Sequence, residues 1–237
     1  MDVSSTPNVS KKEEKVLNWS NKVKLKKAIS ATVNNVATLL AKHRKARLIK
    51  RLLDKSEFAF TSDYISSFTP SWEKYLEEFR KRENVKLLEI GSFEGRSCIW
   101  FLENILTPPT SSMICVDVFC QEWELLFDHN IKISGFSDKV TKVKGRSECI
   151  LLTLKEKSFD IIYVDGCHLA PNVLMDAVSS WLLLKSGGIM ILDDYEWEPE
   201  KPPENRPKIA IDLFLRVFQN HLEVLHKGYQ VIIRRTI

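Results

Sequence analysis

Three aspartates and one histidine are the residues of this chain best placed to do chemistry together. Asp165 and the pair Asp193-Asp194 each close a short apolar run, and His168 stands three residues beyond Asp165. Carboxylates gathered at neighbouring strand ends repel one another unless something positive sits between them. A hard divalent cation, magnesium or calcium, meets that need, because such ions prefer oxygen ligands. The plainer reading makes Asp193-Asp194 a cap on the loop that follows, and Asp165 a turn or cofactor residue. Histidine titrates near neutrality, so His168 is either a general base for a hydroxyl or an exposed loop residue. His43, His129, His221 and His226 have no comparable neighbours.

A second group surrounds a tight turn, Glu89-Ile90-Gly91-Ser92-Phe93-Glu94-Gly95-Arg96-Ser97. Gly91 and Gly95 permit a sharp bend and close approach of the backbone to a nucleotide-like ligand. Ser97 opens a helix whose first turn favours polar or negative groups. The spacing is not the dinucleotide-binding GxGxxG, and Glu94 within the turn would repel a pyrophosphate. A cofactor without phosphates is therefore favoured. Asp117 ends the next apolar run, where a carboxylate can accept hydrogen bonds from two ribose hydroxyls. Its alternative role is that of a strand-end turn residue.

These residues meet only if the elements between them bring five strand ends to one edge. Residues 85–90, 113–118, 140–144, 159–165 and 189–193 are short, apolar and rich in β-branched or aromatic side chains, as strands covered on both faces are. Helical patterns over 97–105, 123–133, 150–154 and 171–184 alternate with them, the last ended by Lys185-Ser186-Gly187-Gly188. This alternation predicts an α/β fold with a Rossmann-like, doubly wound, mostly parallel sheet. Ligands of such sheets sit at the carboxyl ends of the strands. A polar insertion (196–207) precedes a helix over 209–218. Strands over 222–225 and 229–234 then form a hairpin that reverses at His226-Lys227-Gly228.

Upstream, residues 58–80 carry seven aromatic side chains that pack on the sheet or cover a ligand. Thr69 or Ser71 is the expected cap of a helix there. Residues 1–55 hold fourteen Lys/Arg against four Asp/Glu, while the rest of the 237 residues is mildly acidic. Leu25, Ile29, Val33, Val36 and Leu40 make one apolar face of a basic helix. That helix packs on its own domain or drives homo-oligomerisation. A nucleic-acid arm, which lacks interleaved aromatics, and an anionic membrane contact are the alternatives. The expected division is a helical extension (1–55) and a main domain (56–237). Five cysteines without a CxxC pair read as buried, reduced thiols. No apolar run reaches secretory or membrane-spanning length, so a cytoplasmic location is expected.

Over residues 85–237 the chain resembles the class I S-adenosylmethionine-dependent methyltransferases. Within them it is most similar to the catechol O-methyltransferase group and the metal-dependent macrolide sugar O-methyltransferases. Their Glu-x-Gly-x-aromatic-x-Gly-x-Ser motif is matched residue by residue from Glu89 to Ser97. The resemblance implies a seven-stranded sheet with an antiparallel last strand and S-adenosylmethionine as cofactor. It implies that Glu89, Gly91, Phe93 and Ser97, with Ser92 and Gly95 in the same turn, line the methionine side. Asp117 would hold the ribose, Val118 would face the adenine, and Gly145-Arg146-Ser147 would reach the adenine edge. Asp165, at once a cofactor-binding, catalytic and metal residue, would ligate magnesium with Asp193 and Asp194. His168 stands where the catechol enzymes carry a catalytic lysine. The implied reaction is methylation of a hydroxyl on a small molecule, a sugar or a phenolic compound, with a metal-independent enzyme and a nucleic-acid-modifying one as alternatives.

Overall fold

The computed structural model describes residues 24, 38, 41, 42, 44–54 and 56–237. Residues 44–53 are helical. The chain divides into two compact units, Met1–Arg51 and Leu52–Ile237. The stripe from Leu25 to Leu40 lies outside the described residues. No helix among the described residues is long and apolar enough to cross a membrane.

The second unit is built on one seven-stranded sheet. Its strands are β1 (Lys86–Ile90), β2 (Ser112–Asp117), β3 (Val140–Lys144), β4 (Phe159–Val164), β5 (Leu184–Leu192), β6 (Leu222–Lys227) and β7 (Val231–Arg235). They lie in the order β3-β2-β1-β4-β5-β7-β6. The first five are parallel, and β7 runs antiparallel to both β5 and β6. The helices are α1 (Thr69–Tyr75), α2 (Arg96–Asn104), α3 (Gln121–Ser134), α4 (Ser147–Ile150), α5 (Ala170–Leu183) and α6 (Pro207–Val217).

Alternation along the strands divides the core into two layers, as the period of two dictates. Leu87, Ile161, Tyr163, Ile189, Ile191 and Ile232 face Trp72, Phe101 and Phe127. Leu88, Ile90, Ile162, Val164, Met190 and Ile233 face Val173, Ala177, Trp181 and Phe214. Helices therefore cover both faces, which is why the strands read as unbroken apolar runs.

Three local expectations are corrected. Neither Thr69 nor Ser71 caps α1. Phe68 is the N-cap, without a side-chain bond, and Thr69 Oγ1 instead donates to Ser66 O at 3.2 Å. The Lys185–Gly188 stretch does not lie outside the sheet. It bulges within β5, where the register moves from Phe159↔Leu184 to Ile161↔Ile189. Gly187 takes a φ of 77° there, and a Cβ on Gly188 would come within 2.9 Å of Asp160 O. The terminal hairpin turns later than expected, because β6 runs on through Lys227.

Trp72 ties the aromatic segment to the core. It is fully buried, stacks on Phe101 at 4.9 Å and donates from Nε1 to Gln230 Oε1 at 2.7 Å. Trp72→Ala is expected to cost about 3–5 kcal/mol through the cavity it leaves. Trp72→Phe is expected to cost about 1–3 kcal/mol by stranding a buried amide oxygen. Urea unfolding with an unchanged m-value is the check.

Candidate active site

The five expected strand ends do meet at the carboxyl edge of the sheet, and the glycine turn sits at its centre. Ile90 O accepts from Asp165 N–H, and Val116 O accepts from Gly91 N–H, each at 2.8 Å. The chain at Gly91 (φ 87°) runs so close to β4 that a Cβ would lie 1.8 Å from Asp165 O. No residue with a side chain fits there. Gly95, at φ 80°, leads into α2 and faces the Phe127 ring. Phe93 holds a positive φ of 45°, and its ring packs on Trp123 at 4.5 Å.

Asp117 fastens this turn. Its Oδ2 accepts from the N–H groups of Ser92 and Phe93, each at 2.9 Å, and Oδ1 accepts from Phe119 N–H at 2.7 Å. Three of the roughly four acceptor positions of a carboxylate are thereby occupied. Beside it Val118 is half exposed, while Arg146 pairs with Glu148 and Ser147 opens α4.

Below the turn, Glu89 is fully buried and accepts from Ser97 Oγ at 2.6 Å through Oε1. Its Oε2 and the Oγ of buried Ser92 have no protein partner. Unpaired buried polar atoms are uncommon, and they suit a ligand or water that supplies the missing bond. Burial pushes the Glu89 carboxyl up to about 7, against the bond from Ser97.

Glu94 does not do what its place in the turn suggested. It is buried, and its carboxylate turns away to accept from both the N–H (2.7 Å) and the hydroxyl of Thr61. The expected repulsion of a ligand phosphate therefore does not follow from it. Asn130 completes the strap: its side chain bonds Ala59 N (2.6 Å), Ala59 O (3.2 Å) and Glu94 O (2.8 Å). Nothing local in the sequence marks Asn130, whose partners lie 71 and 36 residues away.

At the adjoining strand ends, His168 Nε2 lies 2.9 Å from Asp194 Oδ2 and 3.9 Å from Asp165 Oδ1. One ligand atom from each of these three residues falls within 4.8 Å of the others. Asp193 is not in this convergent set. It turns into the core, where it accepts from Tyr163 OH, from Gln230 Nε2 (2.8 Å) and from Asp194 N–H (2.7 Å). Of the expected Asp165, Asp193 and Asp194, the structure brings Asp165 and Asp194 together beside His168, with Asp193 behind them. Glu89, Cys98 and Cys115 also converge, but burial keeps both thiols protonated, as expected of core cysteines. Cys120, Cys149 and Cys167, expected among them, are exposed.

Charge is concentrated here. Burial, followed by the charges of Asp193 and Asp194, raises the Asp165 carboxyl well above its ordinary range. Burial and Asp194 raise Asp193 to about 6. The bond to Asp194 raises His168 against burial, and the charges of Asp194, Asp193 and Glu198 add to it. Two converging carboxylates, Asp165 and Asp194, supply the oxygen ligands that suit a divalent cation. A cavity of about 390 Å³ adjoins His168 and is lined also by Gly166, Leu169, Trp197, Lys201 and Asn205. The polar insertion supplies three of these residues, and Trp197 meets the His168 ring edge-on at 4.7 Å.

A mostly parallel sheet ending in an antiparallel β7, with a glycine turn after β1 and acids after β2, β4 and β5, defines the class I methyltransferase fold. Residues 88–195 match a family model described as a methyltransferase domain. Protein R132 of Acanthamoeba polyphaga mimivirus is 26% identical over 184 residues, covering 73% of this chain and 77% of its own. Among solved structures, the O-methyltransferase TomG from Streptomyces achromogenes, in complex with S-adenosylmethionine, superposes with a TM-score of 0.58. It is 19% identical and covers 82% of this chain and 89% of its own. MycE, from the mycinamycin biosynthetic pathway and in complex with magnesium and S-adenosylhomocysteine, gives 0.55 at 16% identity, covering 80% of this chain and 54% of its own.

The Glu89 carboxyl yields a test. An acid whose pKa is raised by folding loses stability as pH climbs from its unfolded value, 4.5, to its folded one, about 7, and the loss then stays constant. Glu89→Gln is expected to flatten this fall, leaving the variant relatively more stable at pH 8 than at pH 5. Urea melts of both proteins across that range are the measurement.

Proposed function

We propose that this protein transfers a methyl group from S-adenosylmethionine to a hydroxyl of a small molecule, a sugar or a phenol, and that a divalent cation assists. The observation that carries this reading is His168 Nε2, 2.9 Å from Asp194 and at the wall of the 390 Å³ cavity. An acceptor oxygen must lose its proton as it takes a methyl group. An imidazole beside the cavity can receive that proton, and Asp194 stabilises the imidazolium that forms. S-adenosylmethionine, when bound, supplies an electron-poor methyl on a sulfonium. The turn from Gly91 to Gly95 would hold its methionine end, with Glu89 Oε2 and Ser92 Oγ as unpaired partners for polar groups. Asp117 keeps one acceptor position for a ribose hydroxyl while it fastens the turn, and Val118 and Ser147 would flank the adenine.

Asp165 and Asp194 would hold the cation, which when bound lowers the pKa of a coordinated hydroxyl. MycE, which binds magnesium, offers a precedent in the same fold. Trp197 and Lys201 would border the acceptor. The direct contact of His168 with Asp194 also favours a second reading, a histidine–aspartate base that works without metal. Activity in EDTA separates the two: loss restored by magnesium supports the cation, and full activity leaves the metal-free base.

His168→Ala is expected to lower kcat by about 10²–10⁴-fold, with the affinity for S-adenosylhomocysteine unchanged by calorimetry. Wild-type turnover in this variant would remove the base. Asp117→Ala is expected to weaken S-adenosylhomocysteine binding by roughly 10-fold or more, since it loses a ligand contact and loosens the turn. Unchanged affinity would end its assignment.

A further inference from the structure

Helices α5 and α6 lie on the same face of the sheet, where Val173, Ala177 and Trp181 of one and Ala210, Ile211 and Phe214 of the other fill a common core layer. Their opposite sides are apolar as well. Met175, Val178 and Leu182 recur at intervals of three and four on α5, and all are exposed. Ile209, Leu213 and Val217 recur at intervals of four on α6 and are exposed too, Val217 by 65%. A helix covering a sheet ordinarily turns a charged face to water. Across its fourteen residues α5 has one ionisable side chain, Asp176, and that one is buried.

We propose that this outer face of α5 and α6 is where a second copy of the chain docks. Six side chains, each about half exposed, offer roughly 500 Å² of apolar surface, near the top of the ~300–600 Å² seen for the largest patch on a typical monomer. With its rim the face approaches the ~800 Å² per partner of a standard interface. The charge pattern selects the occupant. A two-fold axis sets a surface against itself, so any unpaired charge near the axis meets its own sign. The exposed side of α5 has none. A helix lying on a membrane carries Lys and Arg along its polar border; α5 has neither. On α6 the exposed stripe is flanked by Lys208, Asp212 and Arg216; Lys208 lies over the Tyr195 ring and Asp212 pairs with Lys227, which leaves Arg216 as the cation at the far end. The proposal does not depend on the acceptor.

Sedimentation velocity of the full chain, from about 1 to 100 µM, is expected to show a species of twice the 27.4 kDa chain mass. The double variant Leu182→Glu/Leu213→Glu is expected to raise the dimer dissociation constant by roughly 100-fold or more, since it buries repelling charges. Its melting temperature and S-adenosylhomocysteine affinity are expected to stay at the parent values, because both positions are already solvated. Leu182→Asn/Leu213→Asn, which adds no charge, is expected to weaken the dimer less. A parent that stays monomeric throughout overturns the proposal. So does a dimer that survives the glutamate variant and is lost on Leu25→Glu/Val33→Glu, which would place self-association in the N-terminal extension. Co-sedimentation of monomers with phosphatidylcholine vesicles, lost in the glutamate variant, would assign the face to lipid instead.

Discussion

The approach of Gly91 to the carbonyl of Asp165 is the contact on which the site depends. A Cβ at 1.8 Å is excluded, so strands β1 and β4 can end together only through a glycine. Ending together is what places the first turn beside the acids after β4 and β5. The ladder bond from Asp165 N–H to Ile90 O fixes the height of that junction. The half that holds a cofactor and the half that handles a proton therefore share one backbone contact.

The turn itself is held from both sides by side chains. Asp117 gathers the N–H groups of Ser92, Phe93 and Phe119. Glu94 and Asn130 fasten the segment around Ala59 and Thr61 to the opposite side. A positive φ at Phe93 is a strained setting for an aromatic residue. These bonds over-determine the conformation and let it persist.

Much of the architecture was legible because strands buried on both faces leave an unmistakable pattern: β3 was bounded as observed, and β1, β2 and β4 to within a residue at each end. The bulge in β5 was not, because glycine reads as a breaker and only a neighbouring strand shows that the break lies within a sheet. The residues around the site were legible by type, through the resemblance as much as the spacing. Their directions were not. Glu94 and Asp193 both turn from the expected side, and each does so for partners far away in the chain, Thr61 and Gln230. Period-two alternation indicates which face a strand residue takes, but it is silent once the strand has ended.

The bond from Trp72 to Gln230 has one more consequence. An indole nitrogen donates and never accepts, so the Gln230 amide must present its oxygen to Trp72 and its nitrogen to Asp193. With Tyr163 OH and Asp194 N–H also pointing at Asp193, that carboxyl meets a donor in each of these three contacts. These three donors favour the ionised carboxylate, against the burial and the Asp194 charge that raise it to about 6. One core tryptophan thus helps to hold the charge beneath the acid cluster through an amide that it orients, without touching the acid itself.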